Sequence, residues 1–123
     1  AEDDPVVRAV EMAWDRGIVV CTAAGNSGPS QGSIARPGIS PKVITVGAAD
    51  DNNTIMRSDD TVASFSSRGP TIDGVMKPDL LTPGTNIISL RAPKSYLDRT
   101  NKTARVDTQY YQEHPWQHQS VPV

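Results

Sequence analysis

One polar side chain stands at the end of an apolar run early in the chain. Residues 17–26 read Gly-Ile-Val-Val-Cys-Thr-Ala-Ala-Gly-Asn, so Asn26 follows an apolar segment and three small residues. Open α/β proteins place their chemistry where strands end. A carboxamide there can donate a hydrogen bond to a developing negative charge, whereas a turn asparagine caps its own backbone. Asn26 is therefore a candidate site residue with a structural alternative.

Two histidines near the end of the chain form a second candidate group. His114 and His118 are four residues apart, and Glu113 precedes them. A helix would place both imidazoles on one face, which resembles half of a zinc motif. Pro115 lies between them and disfavours a helix that begins before Gln112. A metal-dependent hydrolase that uses these histidines is therefore one interpretation.

Asp50 and three serines are weaker candidates. Asp50 belongs to an acidic pair, for which a solvated turn is the simpler interpretation and a weak cation site near Asp50 the other. The serines at positions 64, 66 and 67 lie in a strand-like pattern with no histidine nearby, so structural roles are expected for them. No other cofactor is expected.

A helix and a strand must position Asn26. Asp4 and Pro5 are an N-cap and a first helical residue, and apolar residues follow at spacings of three and four, which predicts a helix from Asp4 to Trp14. Gly17 is suited to end it. Residues 18–21 are apolar without alternation, which predicts a strand covered on both faces, with Cys21 as a packed thiol.

Further strands complete the predicted architecture. Residues 42–48 and 86–90 read as strands, residues 62–67 as a short edge strand, and residues 82–85 as a turn. Apolar periodicity ends at Leu97. Together these elements predict an α/β fold in which helices flank a parallel sheet in three layers, here incomplete.

Composition excludes several classes of function. The chain has 123 residues and a net charge of -2, and it lacks the basic stripe of a nucleic-acid-binding protein. Its single cysteine allows no internal disulfide. No apolar run reaches membrane-spanning length, and the first residues are not a signal peptide, so the chain is expected to begin inside a longer protein.

Four sequence blocks, in order, resemble the subtilisin-like serine proteases. They are Ala-Ala-Gly-Asn-Ser-Gly-Pro at 23–29, Val-Ile-Thr-Val-Gly-Ala at 43–48, Ala-Ser-Phe-Ser-Ser-Arg-Gly-Pro at 63–70, and Lys-Pro-Asp-Leu-Leu-Thr-Pro-Gly at 77–84 followed by Ile-Ile-Ser at 87–89. The resemblance covers residues 1–111 and is closest to the alkaline, intracellular-type enzymes of bacilli. It implies a peptide or protein substrate and suggests a cytoplasmic location, although secreted relatives also lack disulfides.

The resemblance assigns roles residue by residue. Asn26 matches the asparagine that donates a hydrogen bond to the oxyanion of the tetrahedral intermediate. Ala24 and Gly25 match one wall of the primary specificity pocket, and Ala35 falls at its floor. Pro37 matches a proline that is often cis in relatives, and Asp50 matches a weak cation-site position.

The same resemblance identifies what this chain lacks. A subtilisin-like triad needs an aspartate and a histidine from blocks that precede the helix, and neither block is in the sequence. We therefore expect residues 1–111 to form a partial peptidase domain with no triad-based activity. The unpaired sheet edge would favour self-association. It would also suit a non-catalytic module that binds a peptide by strand addition.

The nucleophile block is replaced by residues 112–123, which read Gln-Glu-His-Pro-Trp-Gln-His-Gln-Ser-Val-Pro-Val. Back-translation of this tail, read one nucleotide earlier, can encode Ser-Gly-Thr-Ser-Met-Ala-Thr-Pro-Val-Cys-Ala-Gly. That reading is the family's nucleophile block. The hypothesis is that a frameshift near Tyr111 created a non-native tail, with Pro115 largely where the serine codon would lie. The frameshift also accounts for both histidines without a metal site.

Overall fold

The computed structural model describes residues 3–106 and, for the backbone alone, residues 110–112. The first element is helix α1, Pro5–Asp15. The Asp4 carboxylate caps it by accepting hydrogen bonds from Val6 N at 2.9 Å and Val7 N at 3.1 Å. Gly17 follows the helix with a φ of 87°, a left-handed conformation that glycine adopts without a steric penalty. The predicted helix and both of its end signals are confirmed.

The main sheet has four strands: β1, Cys21–Ala23; β2, Ile44–Asp50; β3, Thr61–Val62; and β4, Leu80–Pro83. Strands β1 and β4 pair with β2 in parallel on its two opposite edges. Strand β3 pairs antiparallel with the last two residues of β2, on the same edge as β1. The arrangement confirms the α/β class.

The prediction for residues 18–21 was wrong in two respects. The strand begins only at Cys21, and the side chains of Ile18 and Val19 are 57% and 70% exposed. Cys21 is exposed as well, so it is not the packed thiol that the sequence predicted. The physical reason is that β1 pairs only with β2 within the described residues. An apolar run indicates which residues can be buried, whereas a neighbouring strand must be present to bury them.

Strand β4 was missed, because residues 82–85 were predicted as a turn. The predicted edge strand at 62–67 is reduced to β3, and the chain after it forms a turn that still hydrogen-bonds to β2. Strands β5, Ile88–Leu90, and β6, Tyr110–Gln112, form a separate antiparallel pair. The strand predicted at 86–90 is therefore present but does not join the main sheet.

Strand β4 is anchored to β2 by an ion pair just before its first residue. Lys77 is 5% exposed, and its Nζ donates to the Asp79 carboxylate at 2.5 Å and to Val43 O at 2.8 Å. Thr45 N also donates to that carboxylate, at 2.7 Å. Partial burial raises the pKa of Asp79, but the hydrogen bonds from Lys77 and Thr45 outweigh it and hold the pKa below its usual value. The sequence Lys-Pro-Asp thus fixes the register of β4.

The connection between β5 and β6 is organised around one buried carboxylate. Asp98 is 2% exposed and lies in the short helix α2, Tyr96–Thr100. It accepts from Arg91 Nε at 2.6 Å and from Arg105 Nε at 2.8 Å. These bonds hold the two ends of the connection together, although sequence periodicity had already ended at Leu97.

The apolar core joins α1 to the residues that follow β1 and to the loop before β2. Its buried cluster comprises Val7, Ala24, Ile34 and Ile39. Glu11 adds a polar contact by accepting a hydrogen bond from Ser40 Oγ at 2.7 Å, which joins the helix to the loop before β2. Within residues 3–106, no helix has the length and apolar character needed to cross a membrane.

Candidate active site

Asn26 lies just beyond the carboxyl end of β1, where the parallel pairing of β1 with β2 ends. The ladder continues one residue past β1, because Ala24 N donates to Val46 O at 2.8 Å. Asn26 itself is exposed, and in residues 3–106 its carboxamide has no hydrogen-bond partner. The sheet therefore delivers this amide to its edge with its donor groups available.

A second segment, residues 65–68, runs beside Asn26 and holds the backbone around it. Ser67 N donates to Gly25 O at 2.9 Å, and Ser27 N donates to Ser67 Oγ at 3.0 Å. One residue further, Gly28 N donates to Phe65 O at 2.8 Å. Hydrogen bonds thus fix the peptide groups on both sides of Asn26. Sequence reasoning assigned no site role to this segment, although it belongs to one of the four family blocks.

The serines at positions 66 and 67 are fully buried hydrogen-bond acceptors. Ser66 Oγ accepts from Ala48 N at 3.0 Å, as Ser67 Oγ accepts from Ser27 N. Their geometry is that of structural residues, as expected. Ser64 is exposed and makes no side-chain hydrogen bond within the described ranges.

The three residues proposed for the pocket lie together. Ala35 N donates to Ala24 O at 2.7 Å. A Cβ placed on Gly25 would lie 2.7 Å from the Ala35 Cβ and 2.9 Å from Ser67 Oγ. Ala24 is 0% exposed, and its N and O both take part in backbone hydrogen bonds, so it lies beneath the surface rather than on a pocket wall. Ala35 is exposed and Gly25 is half-buried.

Gly25→Ala is expected to lower the free energy of unfolding by about 2 to 4 kcal/mol, because the added methyl meets Ala35 and Ser67 in a backbone with a φ of 107°. Gly32→Ala is the matched control. Gly32 also has a positive φ, 72°, but nothing lies within 4 Å of its Cβ position, so only the backbone cost of about 1 kcal/mol should remain. Denaturant unfolding of the full chain measures both, and equal losses would contradict the close contact.

The remaining candidates are Asp50, Pro37 and the histidines of the tail. Asp50 Oδ1 accepts from Asn52 N at 3.0 Å and from Thr85 Oγ1 at 3.1 Å, as a turn carboxylate does. Within the described part of the chain, no three His, Cys, Asp or Glu side chains cluster in a way that could hold a metal ion. The peptide bond between Arg36 and Pro37 is cis, as the resemblance implied. His114 and His118, with Glu113, lie outside the described residues.

The chemistry available at this edge is hydrogen-bond donation. Asn26 offers a carboxamide, and its neighbours Gly25 and Ala35 offer small surfaces. None of these groups can act as a nucleophile or exchange a proton near neutral pH. The arrangement can therefore stabilise a negative charge on a bound group but cannot by itself start a covalent reaction.

Comparison with known proteins agrees with this geometry. The model of the subtilase family (Peptidase_S8) matches residues 2–116. The serine protease AprX of Bacillus subtilis is 66% identical over 110 residues, which are 89% of this chain and 25% of AprX. Pyrolysin of Pyrococcus furiosus is 35% identical over a region that covers 70% of this chain and 8% of pyrolysin. The chain thus spans about a quarter or less of these two relatives.

Solved structures give the same result. The S41 psychrophilic protease superposes with a TM-score of 0.56 at 38% identity, covering 68% of this chain and 28% of that one. Sphericase superposes with a TM-score of 0.54 at 36% identity, with the same two coverages. The α/β sheet described above is thus part of a subtilisin-like sheet. With the family model matching most of its length, this chain belongs to the subtilase family.

Proposed function

We propose that this chain is the oxyanion-binding part of a subtilisin-like serine endopeptidase. The observation that carries the proposal is the exposed carboxamide of Asn26, held at the sheet edge by hydrogen bonds on both flanks. In peptide-bond hydrolysis by this family, a serine attacks the scissile carbonyl and its oxygen becomes negatively charged. Asn26 would donate a hydrogen bond to that oxygen. Gly25 and Ala35 would contact the substrate side chain, and the buried Ala24 would support them from beneath.

The chain alone is proposed to be inactive by the triad mechanism. Residues 1–111 contain no histidine, so this part offers no imidazole base. In the proposed frameshift, the tail at 112–123 takes the place of the nucleophile block. The domain boundary is accordingly proposed at residue 111.

The test is a peptidase assay of the purified 123-residue chain with chromogenic peptides. We expect no hydrolysis, and no labelling by a serine-directed reagent. Hydrolysis that the serine reagent abolishes would overturn the proposal of inactivity. Hydrolysis that a chelator abolishes would support the metal-dependent alternative at His114 and His118.

A non-catalytic peptide-binding module is the second candidate, and one observation favours it. Within the described residues, strand β1 pairs with a neighbour on just one of its two edges. The exposed residues at this strand are Cys21 at its start and, shortly before it, Ile18 and Val19. An extended peptide, or a second copy of the chain, could pair with such an edge. Peptide binding without turnover in the same assay would support the module, and a concentration-dependent mass would indicate self-association.

The endopeptidase proposal can also be tested in a graft. In this graft, residues 1–111 replace the aligned segment of Bacillus subtilis AprX, whose other segments supply the aspartate, histidine and serine blocks that the family mechanism requires. Activity of the graft would support residues 1–111 as a functional part of a peptidase. A folded but inactive graft would count against the proposal.

A further inference from the structure

We propose that Ser67 is the positioning residue of Asn26: one buried hydroxyl and its own amide fix both peptide groups that flank the oxyanion donor. The inference rests on the proposed function, because a positioned donor matters only if Asn26 faces an oxyanion. It adds a residue, on a separate segment of the chain, to the machinery of that site.

The first step is the direction of the two hydrogen bonds. Ser67 N donates to Gly25 O at 2.9 Å, and Ser67 Oγ accepts from Ser27 N at 3.0 Å. The first bond fixes the carbonyl of the peptide that leads into Asn26. The second fixes the amide of the peptide that leaves it. The backbone of Asn26 is therefore held at both ends by a single residue 41 positions later in sequence.

The second step is rigidity. Ser67 is fully buried, so water does not reach its hydroxyl or its amide. A Cβ on Gly25 would lie 2.9 Å from Ser67 Oγ, so the two residues are already in close contact. A Cβ on Gly28 would lie 2.1 Å from Ser66 O, which shows how tightly the two segments pack. The loop has little room to move Asn26 without displacing Ser67.

The third step is the consequence for reactivity. A donor stabilises a transition state most when it is aimed before the reaction, because no free energy is then needed to reorganise it. Asn26 makes no side-chain hydrogen bond within residues 3–106 that could aim it. Its direction therefore depends on its backbone, and that backbone depends on Ser67. Loss of the Ser67 hydroxyl should weaken catalysis without removing the donor.

Ser66 is a matched control for Ser67. Both are fully buried, both hydroxyls accept one backbone amide at 3.0 Å, and they are adjacent in sequence. The amide held by Ser66 belongs to Ala48 in β2, away from Asn26. Ser67→Cys provides a second variant, since a thiol fills similar space but is a weak acceptor.

The first experiment uses the isotopically labelled full chain and amide hydrogen exchange by NMR. Ser67→Ala and Ser67→Cys should raise the exchange rate of the Ser27 amide about tenfold and shift the Asn26 carboxamide resonances. Ser66→Ala should instead raise exchange at Ala48 and leave the Asn26 resonances in place. Unchanged Asn26 resonances in Ser67→Ala, or equal shifts in Ser66→Ala, would overturn the proposal.

The second experiment is a double-mutant cycle in the graft, which decides the question if the isolated chain gives no folded spectrum. Ser67→Ala should lower kcat about tenfold at nearly constant KM, and this loss should vanish when Asn26→Ala is already present. An undiminished loss in the Asn26→Ala background would overturn the role of Ser67. A folded graft without any hydrolysis would instead count against the proposed function, and the same exchange experiment carried out on that folded graft would then decide the role of Ser67.

Discussion

The graft that carries this chain's own tail, residues 112–123, should hydrolyse a peptide about a millionfold more slowly than the graft that carries the re-framed segment Ser-Gly-Thr-Ser-Met-Ala-Thr-Pro-Val-Cys-Ala-Gly. The two proteins are otherwise identical, with residues 1–111 of this chain and AprX segments elsewhere. The physical reason is that the re-framed segment supplies the nucleophile, whereas the tail does not. The measured example of such a loss is itself a subtilisin.

The measurement is kcat/KM on a chromogenic peptide, together with labelling by a serine-directed reagent. The control is the re-framed graft in which the serine between threonine and methionine is replaced by alanine, and it should be as slow as the graft with the tail. Comparable rates for the tail and the re-framed segment would show that the tail is functional, and the frameshift hypothesis would then fail.

Asn26→Ala in the active graft should lower kcat a hundredfold to a thousandfold while KM changes little, which corresponds to a loss of about 3 to 4 kcal/mol of transition-state stabilisation. The oxyanion donor contacts the oxygen after it has gained charge, so substrate binding depends on it much less than the reaction does. The expected size of this loss is the one measured when the oxyanion donor of a subtilisin is removed. The result would place Asn26 in the role that the resemblance implies.

Gln31→Ala provides the matched control for this variant. Gln31 carries the same carboxamide group and is also exposed, but it lies in the turn that follows. We expect its removal to leave kcat within about twofold of the parent graft, as for an ordinary surface change. If Asn26→Ala instead raised KM and left kcat unchanged, Asn26 would be a binding residue, and the oxyanion assignment would be wrong.

Local signals in the sequence were sufficient for the first part of the fold. The helix α1 has its N-cap, its first proline and its final glycine within residues 4–17, and all three act as predicted. Asn26 could be proposed as a site residue for the same reason, because the strand, the small residues and the amide follow one another in the sequence. The four family blocks then indicated the class of fold.

Features that depend on distant residues could not be predicted in this way. Strand β4 contains one proline, and a second proline precedes it, so its local pattern is typical of a turn. It is nevertheless attached to β2 by Lys77 and Asp79, whose partners lie more than thirty residues earlier. Ser67 reaches the two peptide groups that flank Asn26 across a similar separation. The exposure of Ile18 and Cys21 depends on which strands lie beside β1, and a single-strand pattern carries no such information.

The ion pairs that Arg91 and Arg105 form with Asp98 join residues much closer in sequence than these contacts do. Arg91 and Arg105 each lie seven residues from Asp98, so the ion cluster closes two short loops. The conformational entropy lost in closing a loop rises with its length, and β2 must pair with β4 across a much longer span. The 91–105 segment can therefore form early in folding, before the parallel sheet, and present β5 and β6 to each other as neighbours.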